Sequence, residues 1–204
     1  MCGRYALFRW SAELTALPGF PADQQPRWNL LPGGRVLMLR EQLGIRRADE
    51  VRWGLTPAWL TDLSRTPAHA RLETIAEQPL FREAFSKRRC LLPANGFFEW
   101  RGVRKKPYWV SVAEPLLYFA AIWERYPAGE AEYLSVALVT REAGPQRGPI
   151  VLSAAQQQIW LAEDSTPEAL LALLNEARPA LFERALAGIV NDPRVDGPEC
   201  LTPA

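Results

Sequence analysis

The sequence predicts an α+β fold, read as one domain over residues 1–204 with a mostly antiparallel sheet and flanking helices. Two observations carry that prediction. Strand-length runs of β-branched and aromatic residues, punctuated by Pro and Gly, fill the stretch from Arg35 to Thr140. Helical patterns are fewer, and the best capped of them lie towards the two ends. With 204 residues, 48% hydrophobic and 23% charged, the chain has enough apolar surface for a real core.

In chain order, SAELTAL opens on Ser11, a residue type that caps helices, with Glu13 in the first turn. RVLMLR (Arg35 to Arg40) and EVRWGL (Glu50 to Leu55) read as strands. PLFREAFSKRR places Phe81 and Phe85 one helical turn apart on a common face. RRCLLP (Arg88 to Pro93) is again strand-like; Asn95-Gly96 then marks a turn before a strand over Phe97 to Trp100. PYWVSV, LLYFAAIWE and YLSVALVT continue the β pattern. LSAAQQQIWLA and TPEALLALLNEA close it with helices that open on Ser153 and Thr166, the second with Pro167 at its first position. No internal repeat, low-complexity tract or interdomain linker interrupts the series.

Composition bounds the function. A net charge of +1 does not suit a surface coated with polyanion, so a nucleic-acid role requires a local basic groove. No apolar run reaches the roughly eighteen residues of a membrane-spanning helix. No export signal is legible at the N-terminus, so a cytoplasmic location and a monomer are the expectations. Three cysteines (Cys2, Cys90, Cys200), one histidine (His69) and no CxxC pair disfavour a zinc site and a disulfide framework. Neither a metal nor an organic cofactor is expected. The eight tryptophans fit a core, or stacking platforms for unpaired bases; composition leaves both open.

Three places carry candidate chemistry. In MCGRY, removal of Met1 would leave Cys2 with an α-amine and a thiol two carbons apart. At pH 7 about one α-amine in six to ten is neutral, against roughly one lysine in 2,500. Such an amine forms an imine with an aldehyde, and the thiol can close that imine to a thiazolidine. From position alone, an incidental cysteine is the leading alternative. Glu99 lies in FFEW, where burial among aromatic rings would favour a proton carrier; an ion pair with Arg101, Arg104, Lys105 or Lys106 is the alternative. HARLETI places His69, Arg71 and Glu73 at alternate positions, all on one side of an extended segment. There His69 is either structural or functional, and Arg71 either meets a phosphate or pairs with Glu73.

The order of these pieces is more specific than any one of them. MCGRY, RWNLLPG, WGLTPAWL, ARLETI, RRCLLPANGFFEW, KKPYW, AAIWE, TREAGPQRGPIVLS and DGPECL run collinearly from residue 2 to about 201. The series resembles the SOS-response-associated peptidase (SRAP) family. That resemblance implies a barrel-like β core and recognition of abasic sites in single-stranded DNA. It also implies a covalent thiazolidine crosslink through the N-terminal cysteine once Met1 is removed, autocatalytically or by an aminopeptidase.

Carried onto this chain, Cys2 is the implied nucleophile and Glu99 the implied acid/base. Arg4 and Arg71 match phosphate-holding positions, Trp59 an aromatic near the bound strand, and Asn29 and Pro32 the loop beside the cysteine. Arg4, Arg71, Arg101 and Lys105 are the candidates for a local basic groove. Two departures stand out. The family's Asn-Ala-Arg is His69-Ala70-Arg71 here, and the family's histidine four residues before Pro149 is Pro145. His69 is therefore expected to lie near Cys2 and to take over part of the missing proton transfer. Weak abasic-site lyase activity is a further expectation. A non-catalytic single-strand binder and an N-terminal-cysteine peptidase acting on peptides are the competing ones.

Overall fold

The β-rich centre folds into two sheets joined at a corner. The computed structural model describes residues 3–204 apart from 65, 130, 145, 177 and 178. In chain order the elements are β1 (Tyr5–Leu7), α1 (Ala12–Thr15), β2 (Arg27–Leu30), β3 (Arg35–Gln42), β4 (Ile45–Trp53) and β5 (His69–Arg71). There follow α2 (Arg82–Lys87), β6 (Arg89–Ala94), β7 (Gly96–Arg101), β8 (Lys106–Ser111), β9 (Leu117–Ala128) and β10 (Ala131–Ala143). Then come β11 (Gln146–Pro149), α3 (Ala154–Leu161), α4 (Pro167–Asn175) and β12 (Phe182–Ala185), and two short 3-10 helices, Gly188–Asn191 and Pro198–Leu201, close the chain.

One sheet runs β10–β4–β3–β6–β9 and returns to β10, closing a five-stranded barrel. Its ladders are antiparallel except where β10 meets β4 (Val136 opposite Trp53) and then β5 (Leu138 opposite His69), both parallel. The second sheet is open, in the order β12–β8–β7–β1–β2, and antiparallel throughout. The expected α+β class with a mostly antiparallel, barrel-like core is thus what forms.

Alternation along the strands fills the core. Met38, Leu39, Val51, Trp53, Leu91, Phe119, Ala121, Val136 and Leu138 are all essentially inaccessible. Tyr5 and Phe97 from the open sheet join this core by packing on Phe119, at ring separations of 5.5 and 5.7 Å. On the other face of the open sheet, Ala6, Phe98, Trp109, Leu186, Val190 and Cys200 form a second, smaller core.

The helices seal the barrel's outside. Ser153 and Gln156 make a reciprocal capping box at α3, and Thr166 caps α4 with Pro167 in its first turn. Trp160 of α3 donates its indole N–H to the Cys90 carbonyl at 2.9 Å. The buried Arg89 guanidinium binds the carbonyls of Phe85, Ser86, Trp160 and Ala162, tying α2 to the end of α3. Among the described residues no helix is long and apolar enough to cross a membrane.

Asn95-Gly96 is the expected turn ahead of the strand that carries Phe97 to Trp100. It does not close a hairpin between β6 and β7; it carries the chain from the barrel into the open sheet. The Asn95 amide does the work of a backbone turn here. Its Oδ1 accepts from Phe8 and Arg9 N–H at 2.8 and 3.0 Å, and its Nδ2 donates to the Arg9 and Pro115 carbonyls at 2.9 Å. A Cβ on Gly96 would lie 2.6 Å from both Trp109 Cε2 and the Val110 carbonyl oxygen, so only glycine fits.

A correction concerns HARLETI. The strand stops at Arg71, and the chain turns with Thr74 N–H on the Arg71 carbonyl, so Glu73 does not share a face with His69 and Arg71. Between β4 and β5, residues 54–68 leave the barrel and come back beside their point of departure. Leu55 N–H donates to the Pro67 carbonyl, and the Trp53 indole to the Ala68 carbonyl.

Candidate functional site

The site is organised around β1 and its neighbours in the open sheet. Tyr5 pairs with Phe97 and Ala6 with Gly96, and Phe98 N–H donates to the Arg4 carbonyl at 3.0 Å. Strand alternation then sends Tyr5, Phe97 and Glu99 towards the barrel and Arg4, Phe98 and Trp100 towards the smaller core.

Glu99 has a side chain only 18% exposed and accepts from Arg101 at 2.6 and 3.2 Å. Arg101 also binds the Glu183 carboxylate on β12 and lies over the Tyr108 ring at 5.0 Å. Hydrogen bonds to Glu183 and Glu99 keep that guanidinium firmly protonated. The carboxylate is thereby oriented by a fixed cation within its own sheet.

Arg4 turns the other way. It donates to the carbonyls of Val190 and Asn191, the second at 3.3 Å, and stacks over Trp100 at 4.9 Å. Burial lowers its pKa against weaker support from Cys200 and Asp192. The Trp100 indole in turn donates to Asn191 Oδ1 at 2.7 Å.

Asn29 is fully buried in β2 and meets the same C-terminal segment. Its Nδ2 donates to the Val195 and Asp192 carbonyls at 2.8 and 3.4 Å. Asp196 accepts from the backbone N–H groups of Trp28 and Asn29 at 2.6 and 2.8 Å and pairs with Arg27. Residues 190–196 therefore strap Arg4, Trp100 and Asn29 together. Sequence reasoning missed Asn191 and Asp196. An acid followed by Gly-Pro in DGPEC was a turn signal, but nothing local pointed across the chain to β2.

The remaining expected residues are spread around this centre. Pro32 is exposed in a turn closed by Gly34 N–H on the Leu31 carbonyl, itself pinned to Trp53. Trp59 is 59% exposed in the 54–68 loop. His69 is half-buried and lies edge-on to Trp53 at 5.7 Å; Trp53 in turn lies 5.2 Å from Tyr5. An aromatic file thus links His69 to β1. Arg71 is exposed and has no side-chain partner among the described residues.

Glu73 goes to Arg147 at 2.5 Å and to Glu142 N–H at 3.0 Å, not to Arg71. Partial burial opposes its charge, yet those hydrogen bonds hold its carboxyl below the usual range. Cys2 and Pro145 lie outside the described residues, and with them the expected contact between His69 and Cys2.

Comparison with proteins of solved structure defines the class first. A protein from Bacteroides thetaiotaomicron superposes with a TM-score of 0.85 at 20% identity over the whole of both chains. A phage-related protein from Bordetella bronchiseptica does so at 0.74 and 24% identity, covering 91% of this chain and 94% of that one. The fold is the α+β barrel with an appended open sheet that those structures share. Residues 1–192 match the family described as SOS response associated peptidase (SRAP), and the chain belongs to that family.

Its relatives are spread widely. The abasic site processing protein YoqW of Bacillus subtilis is 28% identical, over 98% of this chain and 99% of that protein. YedK of Escherichia coli, of the same description, is 29% identical over 80% and 81%. HMCES of Gallus gallus, likewise described as an abasic site processing protein, is 27% identical over 100% and 78%.

Proposed function

We propose that this protein senses abasic sites in single-stranded DNA and captures them covalently through Cys2 after loss of Met1. The observation that supports this most is the β1–β7 ladder, which runs the first described residues alongside the strand carrying Glu99. The names of the relatives, abasic site processing proteins from bacteria to vertebrates, point to the same substrate.

The chemistry follows from the groups available. The neutral α-amine of Cys2 adds to the C1′ aldehyde of the ring-opened deoxyribose, and loss of one water gives an imine. The thiol sulfur then adds to the imine carbon while its proton passes to nitrogen, closing a thiazolidine with no net redox change. Glu99, held by Arg101, serves ring opening and the departure of water as acid/base. His69 takes part of the proton transfer that the family assigns to the position of Pro145. Arg71 and Arg4 bind flanking phosphates, with Trp59 and Pro32 bordering the strand, while buried Asn29 holds the 190–196 segment beneath it; Arg4 must exchange its carbonyl partners to do so. Elimination from the imine gives a weak lyase side reaction.

Because Arg101 already satisfies Glu99, a second reading, single-strand binding without capture, has a specific observation in its favour. One gel separates the two. Mixed with single-stranded DNA bearing one abasic site, the purified protein yields a band that survives denaturation and is lost in Cys2→Ala. Retained binding without that band selects the second reading; neither binding nor band rejects both. Intact mass must show Met1 absent. His69→Ala is expected to slow capture about ten-fold or more, on the scale of a lost acid/base contribution; a wild-type rate would remove His69 from the mechanism.

A further inference from the structure

Arginines in the two sheets are widely neutralised in place. Arg27 pairs with Asp196, Arg35 with Glu50, Arg40 with Asp49, Arg46 with Glu41, Arg125 with Glu132 and Arg147 with Glu73. The β7–β8 hairpin departs from that pattern. Its sequence RGVRKK, Arg101 to Lys106, holds four cations, no acid and two of the chain's three lysines. Arg101 at its base is consumed by Glu99 and Glu183. Arg104, Lys105 and Lys106 are exposed and make no ion pair among the described residues.

The turn itself is built at some local cost. Lys105 N–H closes on the Gly102 carbonyl at 3.1 Å, and Lys105 adopts φ 47°, in the left-handed region. A residue with a Cβ is disfavoured there by roughly 1–2 kcal/mol, so turn chemistry alone selects Gly or Asn at this position. Between the cations Val103 is fully exposed, an apolar surface of a size to rest on a sugar or base.

The ladder is continuous from the capture site to this tip, through Glu99 opposite Tyr108, Trp100 opposite Pro107 and Arg101 opposite Lys106. By this register Lys106 lies two rungs, roughly 7 Å, beyond Glu99 along the strand, and the turn residues three to four rungs, roughly 10–13 Å. Glu99 already has its cation in Arg101, which leaves the exposed tip cations to a ligand from outside. They act only on a ligand long enough to span both places. A free sugar phosphate is too short; a nucleic-acid strand running on from the lesion is not.

Resting on the DNA-capture function proposed above, we infer that the 102–106 tip of the β7–β8 hairpin grips the phosphate backbone of the same DNA away from the lesion. It supplies affinity and takes no part in the chemistry. Phosphates of a single-stranded flank and of a duplex flank present the same chemistry, and probes of both kinds distinguish them.

The test is the combined variant Arg104→Gln, Lys105→Gln, Lys106→Gln, read in two ways: Kd for fluorescent undamaged DNA across a salt series, and crosslinking rate at saturating abasic DNA. Three lost phosphate contacts at about 0.7 each should make the log Kd–log salt slope shallower by about 2 for a single strand. At low salt, affinity should fall at least ten-fold while the saturated crosslinking rate stays within two-fold. A trinucleotide with a central abasic site, which extends only one nucleotide beyond the lesion, should show a smaller difference between the two proteins than a longer strand does. Lys105→Gly separates contact from structure, because it should raise Tm and still weaken binding. Arg125→Gln serves as control and should change neither readout. Loss confined to probes with one kind of flank assigns the tip to that flank and supports the inference. Wild-type affinity and slope in the triple variant would overturn it and leave the capture function standing. A wild-type protein that neither binds nor crosslinks DNA would overturn both.

Discussion

The barrel and the open sheet meet over shared aromatic rings and both bury apolar faces, yet their edges are secured differently. In the barrel every strand has two partners, and its interior is a continuous apolar cluster around Trp53 and Phe119. The open sheet has two edges, β12 and β2, each fastened by a few polar bonds: Arg101 to Glu183 at one, Asp196 to Trp28, Asn29 and Arg27 at the other. Apolar closure makes a scaffold that yields all at once. Discrete polar clamps make a region that can open locally, and that region carries the candidate site.

Perturbing the junction should separate the two sheets most strongly. Gly96→Ala drives a Cβ into the Val110 carbonyl and Trp109, and overpacking against backbone of this kind costs about 3 kcal/mol or more. By hydrogen exchange, amides of β1, β7 and β8 should lose protection while those of β3 and β4 keep theirs; uniform loss would mean that the sheets fold as one unit. Next in size, Asn95→Ala leaves two N–H groups and two carbonyls without partners and should cost about 2–3 kcal/mol in urea unfolding. Asp196→Ala touches only the β2 edge. A loss of about 1–2 kcal/mol is expected, with a slower capture rate and unchanged protection in the barrel.

The smallest effects should have opposite signs in the two sheets. Arg101 holds the Glu183 carboxyl below its usual range. Its stabilisation is therefore complete above an unfolded pKa of about 4.3 and lost as pH falls through the folded value. This pair is well solvated, so it is worth less than about 1 kcal/mol. In the barrel, burial raises Glu124 despite its 2.7 Å bond from Arg88. A raised carboxyl pKa works the other way. The penalty is absent in acid, begins near the unfolded pKa and is complete above the folded one. As pH rises from 4 to 7, the cost of Glu183→Gln should grow and any cost of Glu124→Gln, which also removes a partner of Arg88, should shrink, as thermal melts across that range would show.

What the sequence made legible was local. Ser11, Ser153 and Thr166 announce helix starts because capping is decided within four residues. Strands from Arg35 onwards are legible because alternation and β-branching are local signals too. Pairing is not local. Nothing in RRCLLPANGFFEW says that its two halves enter different sheets, since a corner and a hairpin both call for Asn-Gly. The same limit hid the 190–196 strap, whose partners lie from 91 to 187 positions away. It also bent the account of HARLETI, where alternation held for three residues and then gave way to a turn that sends Glu73 to Arg147. At Glu99 both sequence-level options carried information, because the ion pair with Arg101 exists and sits where the proposed proton carrier must work.

The excursion between Trp53 and His69 bears on how such a protein changes over time. Its two ends, with Leu55 and Thr56 buried in the barrel, are stitched to each other and to β10, so the barrel constrains these flanks and not the exposed stretch around Trp59 and Leu63. Trp59 and Leu63 project from a segment that can be lengthened, shortened or rewritten with little strain on the wall behind it. A lineage, or a designer, can therefore exchange this loop as a cassette and alter what the molecule touches while leaving the barrel in place.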